Sequence, residues 1–182
     1  MKTKTSSSTV VRMSELMTPE NANFLGKVFG GAILSLLDKA AYVTASRFAE
    51  TVCVTASFDR VDFHSPVEVG ELVHLVGRVD FAGRTSVQTR IEVHAENIHS
   101  GTMRHTNTSI ITMVAIDDAG KPTAVPRIVP ENHDEKVRYL LGRSRYRMNR
   151  TRQQEHAERE ARLEAMSETE LDNLIASDAV EF

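Results

Sequence analysis

Residues 21–48 read NANFLGKVFGGAILSLLDKAAYVTASRF. The spacing predicts one helix from Gly30 to Phe48, of about five turns. Such a run is too apolar to turn a broad face to water. Either a sheet wraps around it or a second subunit covers it. One carboxylate, Asp38, interrupts the run where an apolar residue would pack without penalty.

The rest of the chain supplies the sheet. After a Ser/Thr/Lys-rich start (residues 1–8), expected to be flexible, Thr9 to Met17 reads as a strand, and Pro19 and residues 21–26 as a loop. Beyond the helix come Cys53 to Phe63, Glu71 to Phe81, Ser86 to Ala95 and Thr106 to Ile116. In the second of these runs Val73, Leu75, Val79 and Phe81 share a face. The third alternates Val87, Thr89, Ile91 and Val93 with Gln88, Arg90, Glu92 and His94. The fourth is apolar on both faces at its end, as in a central strand. Turn residues separate the runs: Ser65-Pro66, Gly70, Gly83, Gly101 and Asp117-Asp118-Ala119-Gly120. Strand, long helix and four strands make an α+β domain over residues 9–130. A charged, helix-prone extension follows over 131–164, in which GRSRYRMNRTR holds five arginines. Residues 165–182 form an acidic tail, disordered in part or packed as a short helix.

Composition excludes several classes. The formal net charge is −3 and there is no tryptophan, so neither field nor stacking platform suits nucleic acid. The one cysteine, Cys53, can form no intrachain disulfide and no zinc site. The start lacks the apolar segment of a secretory signal, and no run is long enough to span a bilayer. A cytoplasmic protein without membrane insertion is expected.

On a helix, Asp38 shares a strip with Leu34, Ser35, Ala41 and Tyr42, and one turn further out with Gly31 and Ala45. Ile33, Leu36, Leu37, Ala40 and Val43 form the opposite, core side. Taken alone, Asp38 reads more readily as a surface charge paired with Lys39 or an arginine than as a catalytic group. Buried, it would have a raised pKa and could serve as a general base. The flanking residues favour chemistry. Gly30 and Gly31 open the helix, where unused N–H groups and the dipole favour a developing oxyanion and glycine lets a ligand approach. Asn23, just upstream, offers an amide donor and an acceptor. Each also reads as ordinary local structure, a flexible helix start and a turn residue. Together they are the parts needed to split an acyl thioester with water. A thiolate, with a pKa of about 8.5, leaves without a strong general acid.

Asn23-x-x-Gly26-x-x-x-Gly30-Gly31, followed by Asp38-x-Ala40-Ala41, resembles the signature of hotdog-fold acyl-CoA thioesterases. The closest type is the acyl-CoA hydrolase group of bacterial short-chain and mammalian cytosolic and brain enzymes. The likeness continues through VTASFDRVDFHSPVEVGE, GRTSV and TMVAIDDAGKPTAVP, over roughly residues 9 to 150. It implies a hotdog fold, an antiparallel sheet wrapped around one long central helix. It implies dimers with two interface sites, assembled further into hexamers as trimers of dimers. Asp38 would be base or nucleophile, Asn23 would position water or substrate from the other subunit, and the Gly30-Gly31 backbone would polarise the carbonyl. Coenzyme A contacts would fall on Ala56, Ser57 and Phe58, on Thr85, Ser86 and Val87, and on Arg145 of the tail, with Arg143 and Arg147 as alternatives. Arginines suit CoA phosphates on chemical grounds too, and the turn Gly83-Arg84-Thr85-Ser86, with Arg84 also expected at the CoA, offers hydroxyls and N–H groups at a strand start. A solvated helix face explains any single tail arginine equally well.

Other constellations carry less. The histidines, including His64, His74, His94, His99 and His105, lack metal-ligand spacing, and His74 and His94 are expected to be exposed. Ser57 has no nucleophile elbow. The Asp-His motif of the dehydratase branch is missing. The expected function is hydrolysis of acyl-CoA to fatty acid and CoA, with no metal or cofactor and CoA as substrate and product. The competing readings are a thioesterase on acyl carrier protein or aromatic acyl-CoA, and a non-catalytic acyl-CoA sensor. A sensor would be free to lose Asn23 or Asp38. Chain-length preference is expected to depend on a tunnel beside Tyr42, Phe58 and Phe63.

Overall fold

The computed structural model describes residues 2–59 and 61–177. The chain divides into two compact units between Gly142 and Arg143. The first holds β1 (Thr3–Thr5), β2 (Val11–Leu16), α1 (Gly30–Ala49), β3 (Cys53–Phe58), β4 (Leu72–Ala82), β5 (Ser86–Asn97), β6 (Thr102–Ala115), β7 (Arg127–Val129) and the start of α2 (His133–Glu164). Five strands form an antiparallel sheet in the order β2-β4-β5-β6-β3. α1 packs on all five. This is the expected α+β hotdog architecture.

The core lies between α1 and the concave set of strand residues that alternate toward it. Leu37, Ala40, Ala41, Ala45 and Phe48 meet Val73, Leu75, Val79, Val87, Ile91, Val93, Ile111 and Met113, all nearly or fully buried. Each large side chain buried there contributes about 1.5–3 kcal/mol. The contact is close because small residues face each other. A Cβ at Gly77 of β4 would stand 2.2 Å from the Thr44 Oγ1 of α1. Ala41 and Ala45 therefore belong to the core, not to the strip shared with Asp38, because α1 sinks deeper than its apolar stripe suggests. Val43, expected in the core, is only half-buried.

Several expectations are corrected. The first residues, expected to be flexible, are built into the fold. β1 pairs in parallel with β7, and Ser6 and Thr9 are buried, bonding to the backbone of Val79. Phe81 leaves the face it was expected to share with Val79. The ladder between β4 and β5 shifts between Val79 and Phe81, and this bulge turns Phe81 outward. There it packs on Tyr139 at 5.5 Å between ring centroids. The strand expected to be central, β6, is indeed an inner strand, paired with β5 on one side and with the edge strand β3 on the other. β3 ends at Phe58, although the Asp59 and His64 N–H groups still bond along β6. His74 and His94 are half-buried, and His74 contacts Ser14 (2.8 Å) and Glu96 (2.6 Å). The first unit runs through Gly142, beyond the boundary expected at residue 130.

The second unit holds the remainder of α2 and α3 (Glu168–Ala176). α3 opens with a capping box, in which the Ser167 Oγ accepts from Glu170 N–H and the Glu170 carboxylate accepts from Ser167 N–H. The expected acidic tail thus contains an ordered short helix. Its last residues, 178–182, lie outside the described residues. Among the described residues, no helix is long and apolar enough to cross a membrane.

Candidate active site

Asp38 lies half-buried on α1 and faces β3. The Thr55 hydroxyl donates to its Oδ1 at 2.5 Å, a charge-assisted bond that fixes one carboxylate oxygen and leaves the other available. The pairing with Lys39 or an arginine, open from the helix alone, is not made among the described residues. Asp38 and Thr55 line a cleft of about 600 Å³ between α1 and β3. Its walls are mainly apolar: Met13, Tyr42, Val52 and Val54. Of the residues expected to shape a tunnel, Tyr42 lines this cleft and Phe58 and Phe63 do not. Cys53 lies on the cleft too, but burial pushes its thiol above the usual range, so it stays protonated and is a poor nucleophile.

The start of α1 is uncapped. Phe29 occupies the cap position without a side-chain hydrogen bond. The N–H groups of Gly30 and Gly31 donate to nothing among the described residues. A Cβ at Gly31 would fall 2.2 Å from the Phe29 ring, and one at Gly30 would touch Phe63 at 3.8 Å. Two exposed aromatic rings thus flank two free backbone donors.

Asn23 precedes them on a tight loop. Its Oδ1 accepts the N–H of Leu25 (2.8 Å) and of Lys27 (3.1 Å), and its own N–H donates to the Lys27 carbonyl (2.7 Å). Gly26, at φ +74°, closes the turn. These bonds identify the oxygen of the amide and commit it. The acceptor role expected for Asn23 is therefore used inside the loop, and only the –NH₂ is left for a ligand. No hydrogen bond joins Asn23 to Asp38 within the described chain.

The expected CoA residues fall at two ends of one sheet region. Ala56, Ser57 and Phe58 follow Thr55 on the exposed edge strand, past a bulge between Thr55 and Ser57. Arg84, Thr85 and Ser86 form the β4–β5 turn. β6 lies between the two sets, with Ser86 opposite Val114 and Val114 opposite Val54, so the turn stands about 10 Å from β3. The Val87 side chain is fully buried in the core, which removes it from the side chains a ligand could touch. Alternation within the strand puts it there. Arg145, with Arg143 and Arg147, lies on α2 in the second unit. Sequence reasoning missed Thr55. A threonine in a strand is unremarkable by propensity, and the only signal was its place just before the Ala56-Ser57-Phe58 segment.

Among the described residues no cluster of three His, Cys, Asp or Glu side chains could hold a metal ion. The chain thus offers these groups in two places, a held carboxylate on an apolar cleft and, away from that cleft, a free amide donor and unused helix N–H groups at the Asn23 loop and the start of α1; as a set they suit acyl transfer to water.

Comparison with known proteins agrees with this class. Residues 25–102 match the model of the thioesterase superfamily. Protein VdlD of Helicobacter pylori is 39% identical over 135 residues, covering 74% of this chain and 77% of that one. A structure described as an apo-hexameric acyl-CoA thioesterase is 36% identical, with a TM-score of 0.79 over 84% of this chain and 97% of the other. The acyl-CoA hydrolase of Staphylococcus aureus, solved with butyryl coenzyme A, coenzyme A and coenzyme A disulfide, is 29% identical with a TM-score of 0.79, covering 88% of this chain and 98% of that one. The same enzyme has been solved with an aspartate, an asparagine or a threonine changed to alanine. This chain belongs to the thioesterase superfamily, in its acyl-CoA hydrolase group.

Proposed function

We propose that this chain hydrolyses acyl-CoA to a carboxylate and free CoA, with Asp38 taking the proton of the attacking water. The observation that carries the reading is the Thr55–Asp38 hydrogen bond on the lining of an apolar cleft. It orients a carboxylate beside space suited to an acyl chain. Water oxygen bonds to the thioester carbon as its proton passes to Asp38. Seven residues of helix put Gly31 about 10 Å from Asp38 of its own chain, so the Gly30 and Gly31 N–H groups that hold the resulting oxyanion belong, like Asn23, to the second copy. The carbon–sulfur bond then breaks, the electron pair leaves on the CoA sulfur, and the thiolate is protonated. The Asn23 amide donates to the water or the thioester. In support, the three residues changed to alanine in the Staphylococcus aureus enzyme are separated by the same chain intervals as Asn23, Asp38 and Thr55.

In this reading Asn23 acts across a dimer interface. The edge strand β3 and the Asn23 loop carry exposed apolar side chains, with Phe24 98% and Leu25 72% exposed and Val52 and Val54 beside the cleft. Such an edge calls for a covering surface, and a second copy provides it, with further assembly into hexamers. Ala56, Ser57, Arg84, Thr85 and Ser86 would meet the CoA moiety, and Arg145 or a neighbouring arginine its phosphates. A cytoplasmic role in fatty acid metabolism is part of this reading.

The test is steady-state hydrolysis over a panel of acyl-CoAs. Asp38→Ala is expected to lower kcat by about 10²–10⁴-fold. Robust turnover by that variant would overturn the mechanism. A wild type inactive on every chain length would point to the sensor instead. Mixing Asp38→Ala with Asn23→Ala should restore up to about a quarter of wild-type turnover. Half the dimers are then mixed, each with one intact site.

A further inference from the structure

A loop residue that holds a reacting group needs an anchor in the rigid scaffold. For the Asn23 loop that anchor is the segment 66–71, and its centre is a carboxylate outside the cleft. Glu71 precedes β4 and is 5% exposed. Arg104 of β6 grips it with two prongs, Nη1 to Oε1 at 2.6 Å and Nη2 to Oε2 at 2.7 Å. Nη2 also donates to the Pro66 carbonyl at 2.6 Å, and the Glu71 Oε2 accepts the Glu68 N–H at 2.9 Å. The segment is thus wound around one ion pair and tied to a strand of the sheet. Arg104 holds the Glu71 carboxyl below the usual carboxylate range, so the pair is charged at neutral pH.

The other side of this segment holds the Asn23 loop. The Val28 N–H donates to the Val67 carbonyl at 2.9 Å. Lys27 Nζ reaches both oxygens of Glu68 at 2.6 Å. The Lys27 backbone closes the Asn23 turn, donating to the side-chain oxygen and accepting the Asn23 N–H. An unbroken series of hydrogen-bonded groups therefore runs from Arg104 to Asn23. Arg104 itself does not line the Asp38 cleft.

We propose that Glu71 and Arg104 are positioning residues for the hydrolysis, setting the direction of the Asn23 amide through segment 66–71 and Lys27. The proposal rests on the thioesterase reading above. The simpler possibility is a pair that only stabilises the fold. Removing one partner outright would leave a desolvated charge and endanger folding, so the informative variant is conservative. Arg104→Lys keeps the charge but cannot hold both carboxylate oxygens and the Pro66 carbonyl in one fork.

With the full chain, Arg104→Lys is expected to lower kcat about tenfold and leave KM within about twofold, at a temperature where both proteins are folded. In an Asn23→Ala background the same change should lower kcat by less than about twofold, since residues acting as a unit are not additive. Amide hydrogen exchange over residues 24–28 should quicken in Arg104→Lys, while the core of α1 stays protected. Arg78→Lys, in a separate pair with Glu92 at 3.5 Å, should change none of these. A kcat within twofold of wild type, an equal fall with and without the Asn23 amide, or unchanged exchange over 24–28 would each overturn the proposal. A wild type without turnover would sink the hydrolase reading alone. The exchange arm would then still decide whether Arg104 is coupled to the loop.

Discussion

The two ends of α1 are finished in opposite ways. At the C-terminus the carbonyls of Ser46, Arg47 and Phe48, which the helix itself leaves open, are engaged. Lys4 Nζ donates to the carbonyls of Arg47 (3.0 Å) and Phe48 (2.8 Å) and pairs with Glu50. Glu50 turns into the left-handed region at φ +61° and returns its N–H to Ser46. A cation therefore sits at the negative pole of the helix dipole. At the N-terminus there is no capping side chain and no acidic residue in the first turn, although either would stabilise the helix. Two N–H groups stay unused beside exposed aromatic rings. The first end is built for stability. The second leaves a positive pole and two donors to a ligand, which suits an oxyanion formed only during reaction.

This contrast can be broken or sharpened by substitution. The largest effect belongs to the open end. Asp38→Ala should lower kcat about 10²–10⁴-fold with little change in melting temperature, read by acyl-CoA hydrolysis and thermal unfolding. A comparable loss of melting temperature would mean that Asp38 is structural. Next comes one substitution at two glycines. Gly77→Ala forces a Cβ against Thr44 and Ile91 in the packed core and should destabilise by about 1–3 kcal/mol in denaturant unfolding. Gly31→Ala only displaces the exposed Phe29 ring. Its stability should stay within about 1 kcal/mol of wild type, while turnover falls. Equal stability losses at the two sites would erase the distinction.

Thr55→Val should lower kcat about tenfold, roughly 1.4 kcal/mol, by freeing the Asp38 carboxylate. Unchanged turnover would show that the hydroxyl does not orient it. Lys4→Met, at the closed end, should cost about 1 kcal/mol of stability and leave kcat alone. Any fall in kcat at equal folding would contradict the division of labour. The smallest effect is a slope with pH. The Glu71 carboxyl is lowered chiefly by its hydrogen bond with Arg104. The linked stability is full above the unfolded-state value of about 4.5 and is lost as pH falls through the lower folded-state value. Glu71→Gln should flatten that acid limb in unfolding measured from pH 6 to pH 3.

Much of this was legible in the chain. The run from Gly30 to Phe48 ends within one residue of α1 because its apolar spacing and its glycine start are local signals. The alternation of Val87, Thr89, Ile91 and Val93 survives on the core face of β5, since that buried face dictates it, although Gln88 on the opposite face is buried as well. The turn of Phe81 did not show, because a bulge exists only where two strands are paired. The order within β1 was hidden as well. Its partner, β7, lies more than a hundred residues away, and Thr3–Thr5 has no apolar pattern of its own.

The site divides along the same line. Asp38, Asn23 and the glycine pair stand out in sequence because each is the wrong residue for mere packing, and because they occur together before and within one helix. Thr55 and Arg104 do not, since a hydroxyl or an arginine on a strand acquires a role only from the element placed opposite it. The direction of the Asn23 amide likewise came from the loop that consumes its oxygen. What the sequence by itself determined is the central helix, its wrapping sheet and the polar groups available for acyl chemistry. The tertiary structure alone decided which oxygen of Asp38 is held, which end of α1 stays open and what steadies the Asn23 loop. Those are properties of contacts between distant residues, and no local pattern encodes them.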